Sequence, residues 1–92
     1  MVEKTFMVAP GMADEDVRAA LREVVAKDPL ILADPEPDIY IESFDSMSIA
    51  YTVMIPCKSK DYYDVTYALI ENVYASFKEH SIEMGCDMMS MR

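Results

Sequence analysis

Hydrophobic and polar residues in the first third of the chain follow two successive periods. Between Lys4 and Ala9 they alternate with a period of two and stop at Pro10-Gly11, which predicts a short strand and a turn. Asp14-Glu15-Asp16 then begins a predicted helix, because the macrodipole favours acidic residues in a first turn. Asp28-Pro29 ends this helix, since the residue before proline avoids the α region. Its apolar stripe consists of Val17, Ala20, Leu21, Val24 and Val25.

The remaining sequence predicts a hairpin, a second helix and a last strand. Asp38–Phe44 and Met47–Pro56 have strand patterns, and their short connection predicts that they pair as a hairpin. Ser59 is the expected N-cap of a helix that runs to about His80. Ile82–Met88 is predicted to be the final strand. In the second strand of the hairpin, one face consists of Ile49, Tyr51, Val53 and Ile55, and the other of Ser48, Ala50, Thr52 and Met54. The apolar stripe of the second helix consists of Val65, Leu69, Val73 and Phe77.

The predicted order of elements is strand, helix, strand, strand, helix, strand. A single sheet with both helices on one face is the most economical way to bury two apolar helical stripes. We therefore predict an α+β fold, a ferredoxin-like βαββαβ two-layer sandwich. A chain of 92 residues has the size of one domain, so residues 1–92 are expected to form a single domain.

Composition excludes several classes of function. A net charge of −9 disfavours binding to nucleic acid or to an anionic membrane surface, because both need clustered basic residues. No segment has the about 20 apolar residues that span a bilayer, and the amino terminus has no signal-peptide pattern. Cys57 and Cys86 are expected to be reduced thiols. The predicted protein is a cytosolic one.

Four segments carry a resemblance to a known family. DPLILADPEP at 28–37 is similar to a D-x-x-x-L-x-D-x-E-P connector, and SMSI at 46–49 is similar to S-S-I/V-N. KSKDYYDV at 58–65 is similar to K-T-x-D-Y-W-x-V. Leu69 with IENV at 70–73, then Phe77 and Ile82, are similar to L-L-E-x-I-x-x-x-F…G-I. The chain thus resembles the C-terminal cytoplasmic domain of the small-conductance mechanosensitive channel (MscS) family.

The resemblance implies a place in a larger assembly. In that family the domain assembles with identical copies into a heptameric cage at the cytoplasmic face of the membrane, and ions and small osmolytes pass through its walls during osmotic stress. The chain is then expected to be a fragment of a larger membrane channel protein, without direct membrane contact of its own. Two features depart from the family pattern. Ser81 stands where the family has a helix-ending glycine, and the tail lacks the family's aromatic and proline-rich ending.

Two groups of residues are candidates for this role. Tyr63 and Tyr67 lie off the main apolar stripe of the second helix, and tyrosine is favoured at subunit contacts, so we predict that they contact a neighbouring subunit. Packing within the monomer is the alternative. The acidic residues expected to border an ion portal are Asp34, Glu36, Asp38 and Glu42.

The sequence predicts neither a catalytic site nor a cofactor site in this domain. The single histidine, His80, and the two glycines supply neither a catalytic constellation nor a phosphate loop, so no enzyme activity and no cofactor are expected. The acids of the connector are interpreted as solvated charges and not as a cation site. Copper binding by the tail is a further hypothesis, less favoured than ordinary packing; its ligands would be Met84, Cys86, Met88, Met89 and Met91. A freestanding ferredoxin-like module that senses a small molecule or metal remains the alternative function.

Overall fold

The computed structural model describes residues 1–85, which form three strands and two long helices. These elements are β1 (Val2–Val8), α1 (Asp14–Lys27), β2 (Asp38–Phe44), β3 (Ile49–Ile55) and α2 (Tyr62–Glu79), with a 3-10 turn at Ser59–Asp61. The predicted bounds of the first helix and of the Asp38–Phe44 strand are confirmed. The first and third predicted strands differ from the observed ones by two residues at their starts and by one at their ends, where backbone pairing and not side-chain alternation sets the limit.

The strands form one antiparallel sheet with the order β1-β3-β2. β3 is the central strand, and the predicted hairpin of β2 and β3 is confirmed. Its turn needs no glycine, because Oδ1 of Asp45 accepts hydrogen bonds from the backbone N–H groups of Met47 (2.7 Å) and Ser48 (2.9 Å). A β-bulge between Ile41 and Ser43 shifts the register of β2.

Both helices pack on the same face of this sheet. Val53 and Ile55 of β3 lie opposite Lys4 and Val2 of β1, so alternation directs them all to one side. The apolar stripes of the two helices join that side in one buried cluster. Its members are Val2, Val8, Val17, Ala20, Leu21, Val24, Tyr51, Val53, Ile55, Val65, Leu69, Val73, Phe77 and Ile82. The predicted two-layer packing is confirmed.

The predicted fourth strand, Ile82–Met88, is present in the described residues only as a single bridge. After α2 the chain makes one antiparallel bridge, between Val8 and Met84, along the free edge of β1. Ala9 donates its N–H to the carbonyl of Glu83, and Gly85 donates to Met7, both at 2.9 Å. The described order is therefore β-α-β-β-α with a three-stranded sheet. This establishes the α+β class but not the complete βαββαβ arrangement, because residues 86–92, and with them the end of the predicted strand, lie outside the described part.

The start of α2 corrects one prediction. Ser59 is not the N-cap of the helix, because it begins a 3-10 turn that precedes it. In that turn the N–H of Asp61 donates to the carbonyl of Lys58 at 2.9 Å, so the backbone itself leads into the helix. Asp61 occupies the N-cap position and makes no capping hydrogen bond with its side chain.

The end of α2 lies at Ser81, the residue that stands where the family has a helix-ending glycine. This residue has a φ of 57°, the left-handed conformation for which glycine is normally used. The N–H of Ile82 donates to the carbonyl of Phe77 (2.8 Å) and the N–H of Ser81 to that of Lys78 (3.3 Å). This pair of bonds is a Schellman motif, and Ile82 and Phe77 also meet in the buried core. The motif turns the chain back toward the edge of β1.

Candidate functional site

An exposed aromatic stripe runs along α2. Tyr63, Tyr67, Ile70 and Tyr74 have the spacing i, i+4, i+7 and i+11, which places them on one side of the helix. Their exposed fractions are 69%, 61%, 39% and 54%, in contrast to the buried Val65, Leu69 and Val73 of the same helix. We call these four residues the aromatic stripe. Large apolar side chains that remain exposed in a row are typical of a surface that binds another protein.

The rings at the start of the stripe are ordered by each other. Tyr63 and Tyr67 are stacked, with 6.4 Å between ring centroids and 22° between planes. Tyr62 lies edge-on to Tyr63 at 5.3 Å. At the other end Nζ of Lys78 lies 5.5 Å from the ring centroid of Tyr74. The two tyrosines predicted from the sequence are thus exposed and adjacent; their contact with another subunit stays a prediction.

The second candidate surface is the face of the sheet that points away from the helices, here called the open face. Its centre is a chain of hydroxyls, in which Thr5 and Thr52 are 2.9 Å apart and Thr52 donates to Oε1 of Glu42 at 3.1 Å. Because the single hydroxyl proton of Thr52 is donated to Glu42, the hydroxyl of Thr5 is the donor to that of Thr52. The register also places Glu3 and Asp38 on either side of Met54. Three carboxylates therefore share the open face.

The pKa of Tyr40 responds to the negative charge of this surface. Its hydroxyl donates to Sδ of Met54 at 3.7 Å. Partial removal from water raises the pKa of Tyr40, and the carboxylates of Glu3, Glu42 and Asp38 raise it further. The open face is thus electronegative around this hydroxyl.

The four acidic residues predicted from the sequence divide between surfaces. Asp38 and Glu42 lie on the open face, whereas Glu36 lines a depression with Arg22 and Asp38 at the end of the connector. Asp34 is exposed earlier in the connector. Glu3 was not among the predicted acidic residues, because the predicted strand began two residues too late; in β1 strand alternation places it with Thr5 and Met7 on the polar side.

A comparison with known protein families covers almost the whole described fold. Residues 2–84 match the family described as "Mechanosensitive ion channel MscS, C-terminal". The chain belongs to the MscS family as its C-terminal domain. The resemblance seen in four segments is confirmed, and the match extends it from β1 to the bridge that follows α2. No individual curated protein matches the chain.

Membership fixes the general role of this MscS domain. It is a domain of a mechanosensitive channel, and the family is one of oligomeric channels and not of enzymes. Within residues 1–85 no helix has the length and apolar character needed to cross a membrane.

The two metal hypotheses from the sequence have different outcomes. Within the described part of the MscS domain, the connector acids Asp34, Glu36 and Asp38 are not brought within ligand distance of one another as a set of three. For the copper hypothesis, Met84 is exposed, and the other tail residues (Cys86, Met88, Met89 and Met91) lie outside the described residues. A set that the sequence did not suggest, Glu23, Glu79 and His80, does come within ligand distance.

Proposed function

We propose that this domain is a segment of a longer channel subunit and forms part of the wall of a cytoplasmic vestibule, in contact with identical copies. The observation that supports this most directly is the aromatic stripe of α2, an exposed apolar row on a domain of an oligomeric channel family. The expected assembly is a heptamer at the cytoplasmic face of the membrane, through which ions and small osmolytes pass.

Tyrosines suit this contact for a physical reason. A tyrosine ring buries a large apolar area with only two rotatable side-chain bonds, while its hydroxyl can stay hydrated or bond across the interface. Stacking of Tyr63 on Tyr67 orders both rings before any partner arrives, which lowers the entropic cost of association. The stripe therefore favours a specific contact.

Ring symmetry adds a requirement. A closed ring of seven copies uses heterologous contacts, in which one patch of each subunit meets a different patch of the next. The aromatic stripe needs a partner patch on another element, and Phe44 at the end of β2 is 79% exposed. We assign Phe44 to this second patch.

The open face is the proposed ion-facing surface. Glu3, Asp38 and Glu42 carry negative charge on it, and the whole chain has a net charge of −9. Such a surface concentrates small cations only over about 8–10 Å at physiological salt, so its influence is confined to narrow openings. Glu36 and Asp34 extend the acidic region along the connector.

The assembly proposal is tested in the full-length channel with Tyr63→Ser/Tyr67→Ser. We expect the oligomer to dissociate at lower detergent or lower temperature than wild type, as measured by native mass spectrometry. Tyr63→Phe/Tyr67→Phe keeps both rings and is the matched control, which should assemble normally. Unchanged assembly of the serine variant would remove the stripe from the interface. A metabolite that raises the melting temperature of the domain, together with that result, would favour the ligand-sensing alternative.

The ion-facing proposal has its own experiment. Charge reversal in the full-length channel, Asp38→Lys/Glu42→Lys, should shift the reversal potential toward anion preference in low-salt patch recordings. Asp64→Lys/Glu71→Lys on α2 introduces the same charge change away from the open face and is the control. Equal shifts in both variants would assign the effect to total charge and contradict a specific role of the open face.

A further inference from the structure

Three metal-ligating side chains meet where the two helices lie side by side. Glu23 of α1 approaches Glu79 and His80 at the end of α2, and the candidate ligand atoms all lie within 4.8 Å of one another. Nε2 of His80 is 3.9 Å from Oε1 of Glu23 and 3.7 Å from Oε1 of Glu79. Glu79 and His80 are neighbours in the sequence, and the packing of the two helices brings Glu23 to them.

The donor set fits a borderline divalent cation. One imidazole nitrogen and two carboxylate oxygens are ligands that Zn²⁺ accepts, with a water completing the tetrahedron. In tetrahedral Zn²⁺ sites the bonds of about 2.1 Å put neighbouring ligand atoms roughly 3.4 Å apart. The separations of 3.9 and 3.7 Å between His80 and the two carboxylates are close to this value, and all three ligand atoms, on exposed side chains, lie within 4.8 Å of one another.

The surroundings carry the charge such a site needs. Asp16 lines the same depression as Glu23 and His80 and adds a further carboxylate. The competing cation is Lys27, whose Nζ is 3.3 Å from Oε1 of Glu23. This lysine side chain is 72% exposed, so it can swing into water when a metal ion takes its place.

A separate observation points to the same groove. Ser76 is 8% exposed, and its hydroxyl is buried without a hydrogen-bond partner among the described residues. Ser76 lines the groove between the helices together with Glu23 and Glu79. Buried hydroxyls are normally paired, so the wall of the groove that holds the carboxylates of Glu23 and Glu79 also contains a polar atom without a partner among the described residues.

We propose that Glu23, Glu79 and His80 form a zinc-type divalent cation site that joins α1 to the end of α2. Metal binding there joins a residue of α1 to two residues at the end of α2, and so it stabilises the fold by binding the folded state only. This site stands independently of the proposed channel role and uses none of the residues assigned to it.

His80 makes the test direct, because it is the only histidine of the chain. In ¹H–¹⁵N NMR spectra of the untagged 92-residue protein, the imidazole ¹⁵N signals belong to this residue alone. Titration with ZnCl₂ should shift the signal of Nε2 strongly at one equivalent. Isothermal titration calorimetry should give one site, and Glu23→Gln and His80→Asn should each weaken binding at least tenfold. Glu71→Gln on α2 is the matched control and should bind as wild type.

Zinc could instead bind to the thiols of the two cysteines, so the experiment includes a variant without them. Cys57→Ser/Cys86→Ser should retain the one-equivalent binding and the shift of the His80 signal. If the cysteine variant loses binding, or if zinc leaves the His80 signal unmoved, the proposed site is wrong. Absence of binding by the wild-type protein would overturn it as well. Melting curves of each metal-free variant show that it is folded before it is titrated.

Discussion

The hydroxyl of Tyr51 donates a 2.8 Å hydrogen bond to Oδ1 of Asp14, although Tyr51 is only 1% exposed. The tyrosine stands in the central strand and the aspartate is the first residue of α1. Arg18, one turn further along α1, binds both carboxylate oxygens of Asp14 with Nε at 2.9 Å. Its Nη1 also donates to the carbonyl of Ile39 at 2.9 Å. The start of α1 is thus fixed to two strands through one buried ring and one guanidinium group.

Replacing Asp14 by Asn should reduce the loss of stability in acid. The hydrogen bond from Tyr51, and then Arg18, lower the pKa of Asp14 below its ordinary value of 3.8. A lowered folded pKa contributes stability that is present above about pH 4 and is lost as the pH falls through the folded value. The free energy of unfolding of Asp14→Asn should therefore change less between pH 5 and pH 2. Urea titrations at each pH measure this, with Glu15→Gln as control. Identical acid profiles for Asp14→Asn and wild type would contradict the assignment.

Replacing Tyr51 by Phe removes a hydroxyl but keeps the buried ring. We expect a loss of about 1 kcal/mol in the free energy of unfolding at neutral pH, the usual value for one net hydrogen bond. In alkali, by contrast, the Tyr51 hydroxyl lowers the stability of the wild type as it ionises. Burial, followed by the bond to Asp14, raises the pKa of Tyr51 from 10.0 to about 12. The wild type therefore has a contribution that is present below pH 10 and is lost as the pH rises toward about 12. Urea titrations from pH 7 to 12 should show this loss in wild type and a smaller one in Tyr51→Phe. Tyr40→Phe, which leaves the core ring intact, is the comparison.

Ser81→Gly should stabilise the protein. The left-handed conformation at φ 57° costs a residue with a Cβ about 1–2 kcal/mol, and glycine avoids this cost. Glycine also loses more chain entropy on folding, which offsets part of the gain. The expected net gain is about 0.5–1 kcal/mol, or roughly 3–6 °C in melting temperature for a domain of this size. Ser81→Ala keeps the Cβ and should show no such gain. A melting temperature of Ser81→Gly at or below that of Ser81→Ala would contradict the strain at this position.

Gly85→Ala should weaken the pairing along the edge of β1. A Cβ at Gly85 would overlap Cβ of Ser48 and would lie 3.0 Å from the carbonyl oxygen of Val8. Ser48 is 2% exposed and has little room to move. The expected loss is about 1–3 kcal/mol, the range for overpacking in a tight site. Gly11→Ala is a matched control, because nothing lies within 4 Å of its added Cβ. Equal unfolding midpoints for the two variants would show that the edge contact contributes nothing.

Local patterns were sufficient for the elements that neighbouring residues define. The bounds of α1 follow from the acidic first turn, the apolar stripe and Asp28-Pro29, all of which act within a few residues. The placing of Tyr51 on one face with Val53 and Ile55 followed from alternation in β3. The left-handed Ser81 followed from a departure in the family pattern. Exposure of Tyr63 and Tyr67 followed from their position off the buried stripe of α2.

The sequence by itself therefore determined the type and order of the described elements, the buried stripes of the two helices and the family. Only the tertiary structure decided which distant side chains meet. Glu3 joins Asp38 and Glu42 through the order of the sheet, and Glu23 reaches His80 through the packing of the helices. The reason is physical: periodicity and capping act over one or two turns of chain, whereas strand register and helix packing are set by burial of the whole core.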